Sequence, residues 1–135
     1  MVFPHDLSIG KIMRYAYKIF EVTDDYDAKP RTLFHGLNGS RTLTLNEWLE
    51  AEVKVVSDGG RTKYLSGFHA YPSIDAVKQW FETAKKITGR VVCKVQIAGF
   101  EDKPYAVRPT FLASRMRIPR RDWEQRILAF KLVGG

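Results

Sequence analysis

Residues 73–97 read SIDAVKQWFETAKKITGRVVCKVQI, and this stretch decides the class of fold. Ser73 is a favoured residue for the start of a helix, and apolar residues recur after it at the spacing of one buried helical face. Gly89 is placed to end that helix. Beyond it apolar and polar residues alternate, which is typical of a half-buried strand. The stretch therefore predicts a helix over 73–88 and a strand over 90–97.

The predicted strand separates a polar face from an apolar face. Lys94 and Gln96 lie on the polar face, and the apolar face carries Val91, Cys93, Val95 and Ile97. No cationic neighbour is placed by the sequence to activate the Cys93 thiol. Because unpaired cysteines are commonly buried, we expect Cys93 to be a core residue.

Further elements are predicted on either side of this stretch. Thr44 and Glu47 have the spacing of a capping box, which predicts a short helix over 45–52. Aromatic and β-branched residues, or clean alternation, predict strands over 14–22, 31–35, 67–71, 105–107 and 110–118.

A hairpin is predicted over 52–65. A turn at Gly59-Gly60 places Asp58 opposite Arg61, whereas a turn one residue earlier places two lysines opposite one another. We favour the first register, because opposite charges across a strand pair stabilise it by about 0.2–1 kcal/mol.

The C-terminal part is predicted to end in a helix. Pro119 fits the first helical position, and Trp123, Ile127 and Phe130 follow at helical spacing. The whole chain is then one α+β domain over 1–135, with 1–13 and 131–135 loosely ordered. Its sheet is mostly antiparallel and twisted, and the main helix over 73–88 packs on one face.

Composition narrows the class of protein. The chain has 135 residues, 44% of them hydrophobic, which is enough for a real core. It has no apolar run of about 18 residues and no basic start followed by an apolar stretch, so we expect neither a membrane span nor a secretory signal. The single cysteine fits a reducing compartment, and a cytoplasmic protein is the resulting expectation.

Positive charge is unevenly distributed along the chain. The formal net charge is +7, from 22 Lys and Arg against 15 Asp and Glu. Residues 1–53 carry a net charge of −2 and residues 54–135 a net charge of +9. A basic half of this kind attracts polyanions, of which nucleic acid is the commonest. The alternative is a solubilising surface.

The basic residues near the C-terminus are mostly arginines, which make bidentate contacts with phosphate and carboxylate. Arg115 and Arg117 alternate on one strand face, and Arg120 and Arg121 lie where a helix N-terminus also favours anions. Tyr105 and Trp123 are close enough in sequence to offer stacking surfaces. The residues predicted to bind nucleic acid or an acidic protein surface are Arg108, Arg115, Arg117, Arg120, Arg121, Lys63 and Lys94. The alternative role is a strand edge protected by charge.

The histidines and acidic residues show no metal-binding pattern. His5, His35 and His69 lack ligand spacing, so a zinc site would need His35, His69 and a carboxylate brought together by the fold. The run of aspartates at 24–27 lacks the glycine and glutamate of a calcium loop. We therefore expect no metal.

Two short segments place a histidine beside glycine at a strand end. They are Leu33-Phe34-His35-Gly36 and Ser66-Gly67-Phe68-His69-Ala70, the second leading into the predicted helix. Both resemble segments of ADP-ribosyltransferase-like folds, in which the first histidine contacts the ribose of NAD. This resemblance implies an NAD or nucleotide site that uses His35 with Tyr64 or His69. The catalytic glutamate of that family has no counterpart, because 114–118 contains no acid, which implies an inactive or purely binding relative.

A broader resemblance covers roughly residues 14–118. The segment GFHAYP at 67–72, a helix containing Asp75-Ala76 and a valine-rich strand ending at Gly99 are similar to small uncharacterised proteins of phages and prophages. This resemblance implies a context in which small domains bind nucleic acid or interfere with host enzymes and defence complexes.

We expect a small basic binding protein that needs no cofactor and engages nucleic acid or an acidic surface of a host nucleoprotein or enzyme. One alternative is the NAD-type enzyme or a degenerate relative. The other is a protein–protein inhibitor that acts through exposed aromatic residues such as Tyr26 or Trp48.

Overall fold

The strand predicted at 90–97 is the centre of the protein. In the computed structural model, which describes residues 13–23, 26–33, 41–51, 55–58, 62–104 and 106–133, it extends over Arg90–Asp102. Val95 and Ile97 are fully buried, and Cys93 is 1% exposed, which confirms the apolar face and the core position of the cysteine. The strand runs past its predicted end at 97 through 98–102, because it pairs there with a second long strand.

The elements follow in this order. The strands are β1 (Arg14–Val22), β2 (Pro30–Arg31), β3 (Trp48–Glu50), β4 (Val55–Asp58), β5 (Thr62–Leu65), β6 (Phe68–Ala70), β7 (Arg90–Asp102), β8 (Phe111–Arg117) and β9 (Ile127–Leu128). The helices are α1 (Ile74–Thr83), α2 (Arg120–Glu124) and α3 (Ala129–Leu132). The arrangement is α+β with mostly antiparallel pairing, as predicted.

The main sheet curls back on itself. β7 pairs with β1 along one edge and with β8 along the other, and β6 pairs with the far edge of β8. Tyr71, directly after β6, then exchanges two backbone hydrogen bonds of 2.7 and 2.8 Å with Tyr17 of β1. The path β1–β7–β8–β6 thus returns to β1. Phe20, Ile97 and Met116 fill its inner side.

Helix α1 packs on the outer side of the sheet. The Ser73 hydroxyl caps it by accepting a hydrogen bond of 3.2 Å from the Ala76 N–H. Val77 and Phe81 are buried in a second apolar cluster, together with Ile19. The helix ends at Thr83 rather than at 88, because residues 84–89 form the turn that leads back into β7. Gly89 serves that turn with a positive φ of 77°. Among the described residues there are three short helices, and a single main helix is not clearly shown.

The helix predicted over 45–52 is wrong. Residues 48–50 form β3, which pairs with β8 so that Trp48 stands opposite Arg117 and Glu50 opposite Arg115. Asn46, with a φ of +64°, turns the chain into this strand. The available edge of β8 outweighs the local capping signal, since three residues in a paired strand satisfy their backbone groups there.

The single C-terminal helix is also wrong. Helix α2 stops at Glu124, and β9 then pairs with Val91 and Val92 of β7 before α3 begins. The edge of β7 that β8 leaves open at this end accounts for the interruption. No strand forms at 106–107, and Tyr105 lies outside the described residues.

The hairpin of β4 and β5 has neither of the two predicted registers. Val55 stands opposite Leu65 and Asp58 opposite Thr62, which is one residue from the favoured pairing of Asp58 with Arg61. Of the strand predicted over 31–35, only Arg31 lies in β2. Residues 32–33 are not in a strand, and residues 34–35 lie outside the described part of the chain. Residues 1–12 and 134–135 also lie outside it, so loose order there stays a prediction.

Candidate functional site

Four strands place one side chain each in a row across the sheet. Tyr15 of β1 stands opposite Gln96 of β7, Gln96 opposite Arg117 of β8, and Arg117 opposite Trp48 of β3. Directly opposed residues of neighbouring strands lie on the same face. The row therefore combines two aromatic rings, an amide and a guanidinium on one side of the sheet.

A cleft with a volume of about 500 Å³ opens over three members of this row, Tyr15, Gln96 and Arg117. We call it the Arg117 cleft. Its lining residues are Tyr15, Lys94, Gln96, Arg117, Pro119, Arg121, Asp122 and Gln125. Three of the residues predicted to bind an anionic partner, Lys94, Arg117 and Arg121, thus meet in one place. The chain brings them from β7, the end of β8 and helix α2.

Gln96 holds the centre of the cleft. Its Nε2 donates a hydrogen bond of 3.1 Å to the Tyr15 hydroxyl, and its Oε1 accepts one of 3.0 Å from Nη1 of Arg117. Nε of Arg117 donates a second bond of 3.2 Å to the Asn46 carbonyl oxygen. These contacts orient the guanidinium while using two of its five N–H donors among the described residues.

A cationic side chain lies over each aromatic ring of the row. Nζ of Lys94 lies 4.6 Å from the centre of the Tyr15 ring, and Cζ of Arg115 lies 5.1 Å from that of Trp48. Tyr15 remains 46% exposed and Trp48 38% exposed. Cations and flat apolar surfaces therefore alternate across the face.

Helix α2 contributes side chains rather than a free N-terminus. The Asn46 side-chain oxygen already accepts a hydrogen bond of 2.8 Å from the Arg120 N–H. One of its N–H groups is therefore already satisfied within the fold, and the expectation that this helix N-terminus attracts an anion stays a prediction. Arg120 and Arg121 are both exposed, and Arg121 faces the cleft.

The charges of the cleft are not neutralised. Its lining contains three cations and one carboxylate, Asp122. Within the described part of the chain, neither the three cations nor Arg115 and Arg120 form an ion pair. Elsewhere on the sheet arginines do pair with carboxylates, so this surplus is a local property.

The structure places several predicted site residues elsewhere. Arg108 donates a hydrogen bond of 3.0 Å to the Thr83 hydroxyl at the end of α1, and its loop and Arg117 lie at opposite ends of β8. Lys63 lies on β5, in the separate two-stranded sheet. Trp123 is 3% exposed and donates to the Ala28 carbonyl oxygen, so its role as a stacking surface is wrong. Tyr105 lies outside the described residues.

The histidine site stays a prediction. His69 lies on β6, and burial together with the charges of Lys18 and Lys103 lowers the pKa of its imidazole to about 3. His35 and the side chain of Tyr64 lie outside the described residues.

Lys18 is a buried cation that the sequence did not single out. It is 8% exposed, and its Nζ donates a hydrogen bond of 2.7 Å to the His69 carbonyl oxygen between the rings of Phe20 and Phe68. Burial lowers its pKa from 10.5 to about 8. The sequence feature that predicts its burial is its position between Ala16 and Phe20, on the buried face of an alternating strand.

Among the described residues no His, Cys, Asp or Glu side chains are grouped to hold a metal, and no helix there has the length and hydropathy to cross a bilayer. The chain matches no family model, no curated protein and no solved structure. The resemblances to phage proteins and to ADP-ribosyltransferase-like folds therefore stay predictions, and the function is argued from the cleft itself.

Proposed function

We propose that this protein binds nucleic acid through the Arg117 cleft and the adjoining Arg115 and Arg120. The observation that carries this proposal is the unneutralised cluster of Lys94, Arg117 and Arg121. Several cations on one face can each contact a phosphate and release counterions, which is the main source of affinity for a nucleic-acid backbone. The guanidiniums add planar, bidentate contacts with phosphate oxygens.

The aromatic rings favour nucleic acid over an acidic protein surface. A protein partner could also contact exposed rings and arginines, so the preference for nucleic acid rests on how the rings and cations are arranged on this face. Tyr15 and Trp48 lie at the two ends of the row, each with a cation over its ring, and are 46% and 38% exposed. Alternating cations and rings match a polymer in which phosphates alternate with flat bases.

Binding to labelled single- and double-stranded DNA and RNA at low and moderate salt tests the proposal. The variant Arg117→Ala/Arg121→Ala is compared with Arg108→Ala/Lys78→Ala, which removes the same charge from residues that do not line the cleft. We expect the cleft variant to lose at least tenfold in affinity. Its slope of log affinity against log salt should fall by roughly 1.4–1.8, the value for two lost phosphate contacts.

Two results would contradict the proposal. Equal losses in the two double variants would show that affinity follows net charge and not the cleft. An absence of binding to every nucleic acid at low salt would point instead to an acidic protein partner.

A further inference from the structure

The spacing of the two aromatic residues limits the kind of nucleic acid that fits the face. Tyr15 and Trp48 occupy the ends of a row that crosses four neighbouring strands. Three strand spacings separate them by about 14 Å along the sheet. Gln96 and Arg117, bonded to one another at 3.0 Å, lie between the rings.

A double helix cannot use both kinds of group at once. In a duplex the bases are stacked and paired, so their flat faces are covered and an external side chain reaches only their edges or the phosphates. An exposed ring can stack only on a base that is unstacked from its neighbours. The rings at the ends of the row therefore have a use in a complex with a single strand and none in a complex with a duplex.

The cations that lie over the rings strengthen this distinction. Lys94 lies 4.6 Å from the Tyr15 ring centre and Arg115 lies 5.1 Å from that of Trp48. A base that stacks on either ring takes the place of that cation on the ring face, and the long Lys94 or Arg115 side chain then contacts the phosphate of the same nucleotide. Arg117, which lies between the rings and is held by Gln96 and Asn46, is placed for the phosphates between the two stacked bases.

We propose that the face recognises single-stranded nucleic acid, with one base stacked on Tyr15, another on Trp48, and the intervening backbone over Arg117. This inference rests on the proposed function and specifies its ligand. It requires base faces in addition to phosphates, and that requirement separates it from simple attraction of a polyanion.

The test compares three ligands that carry the same number of phosphates: a single-stranded oligonucleotide, the same strand with abasic residues, and a duplex. We expect the wild-type protein to bind the ordinary strand at least tenfold more tightly than either of the other two. This comparison needs no variant. Equal affinity for all three ligands would overturn the inference and leave the proposed function standing, whereas binding to none of them would remove both.

Variants locate the stacking. Tyr15→Ala and Trp48→Ala should each lose between about fivefold and a hundredfold in affinity for the ordinary strand, and less than twofold for the abasic strand. Tyr15→Phe and Trp48→Phe keep a ring and should stay close to wild type. Tyr26→Ala, at a fully exposed tyrosine that does not line the cleft, is the matched control. Equal losses on the ordinary and abasic strands would show that the rings support the fold rather than the ligand.

Discussion

The two ends of the ladder between β1 and β7 carry arginines in opposite circumstances. At one end Glu21 stands opposite Arg90, and its carboxylate lies 3.4 Å from Arg31 and 3.9 Å from Arg90. At the other end Gln96 stands where a carboxylate of the same size would fit, and Arg117 contacts an amide instead. At the first end two arginines share one carboxylate within the fold, whereas at the second end Arg117 has no carboxylate partner among the described residues.

Burial explains why the first end needs its carboxylate. The Arg90 side chain is 18% exposed, lies over the Trp80 ring and donates to the Lys86 carbonyl oxygen. The Nε atoms of Arg31 and Arg90 are buried with no hydrogen-bond partner among the described residues. A charge removed from water in this way requires an opposite charge nearby. In the open cleft, water still solvates the cations, so they need no carboxylate of the same chain beside them.

The largest expected effect comes from removing the carboxylate. Glu21→Gln keeps the size of the side chain but leaves two partly buried guanidiniums without a counter-charge. We expect the free energy of unfolding to fall by about 1–3 kcal/mol. Urea unfolding measures this change, with Glu82→Gln on the exposed side of α1 as the control. A value within about 0.5 kcal/mol of that control would show that Glu21 does not hold this end together.

The converse substitution makes the cleft resemble the other end. Gln96→Glu puts a carboxylate beside Arg117, which should form an internal ion pair and repel phosphate. We expect affinity for nucleic acid to fall about tenfold, equivalent to about 1.4 kcal/mol. Filter binding at low salt measures the loss, and Gln79→Glu on α1 introduces the same charge outside the cleft. If both variants bound equally well, the missing carboxylate would have no role in binding.

Lys18, on the opposite face of β1, extends the comparison to a cation with neither a carboxylate partner nor solvent. Its pKa is lowered from 10.5 to about 8, so between these values the unfolded chain binds more protons than the folded one. Stability therefore rises with pH from about 8 upward, whereas below 8 both states are charged and the full penalty of burial remains. We expect a gain of about 1 kcal/mol between about pH 7 and pH 9.

Lys18→Met should abolish that gain, and Lys78→Met on α1 should keep it. Unfolding is measured up to about pH 9, because burial also raises the pKa of Cys93 from 9.0 to about 12. Above pH 9 the unfolded thiol ionises while the folded one does not, so stability falls for that separate reason. A gain that persisted in Lys18→Met would assign the rise to another group.

Local pattern was sufficient where one segment alone decides its own structure. The alternation around Cys93 predicted β7, and the cap at Ser73 predicted the start of α1. The same logic placed Arg115 and Arg117 on one side of a strand, which their contacts with Trp48 and Gln96 bear out. These features depend on residues two to four positions apart, so the sequence displays them directly.

The features that local pattern did not predict depend on pairing between strands that are distant in the sequence. Trp48 has a helical context in the sequence, yet the edge of β8 draws it into β3 beside Arg117. Tyr15 and Gln96 are 81 positions apart, and the β1–β7 register alone makes them neighbours. Neither was predicted as a site residue, because the faces of two strands meet only once their register is known.

By itself the sequence determined the α+β class, the central strand, the buried cysteine and the basic character of the C-terminal part. Tertiary structure alone decided which cations share a cleft, which carboxylate neutralises Arg31 and Arg90, and which rings face solvent. The physical reason is that residue type sets the charge and hydrophobicity of a side chain, whereas the residues packed around it set its ion pairing and its exposure to solvent. Most neighbours of Arg117 come from strands that are remote in the chain.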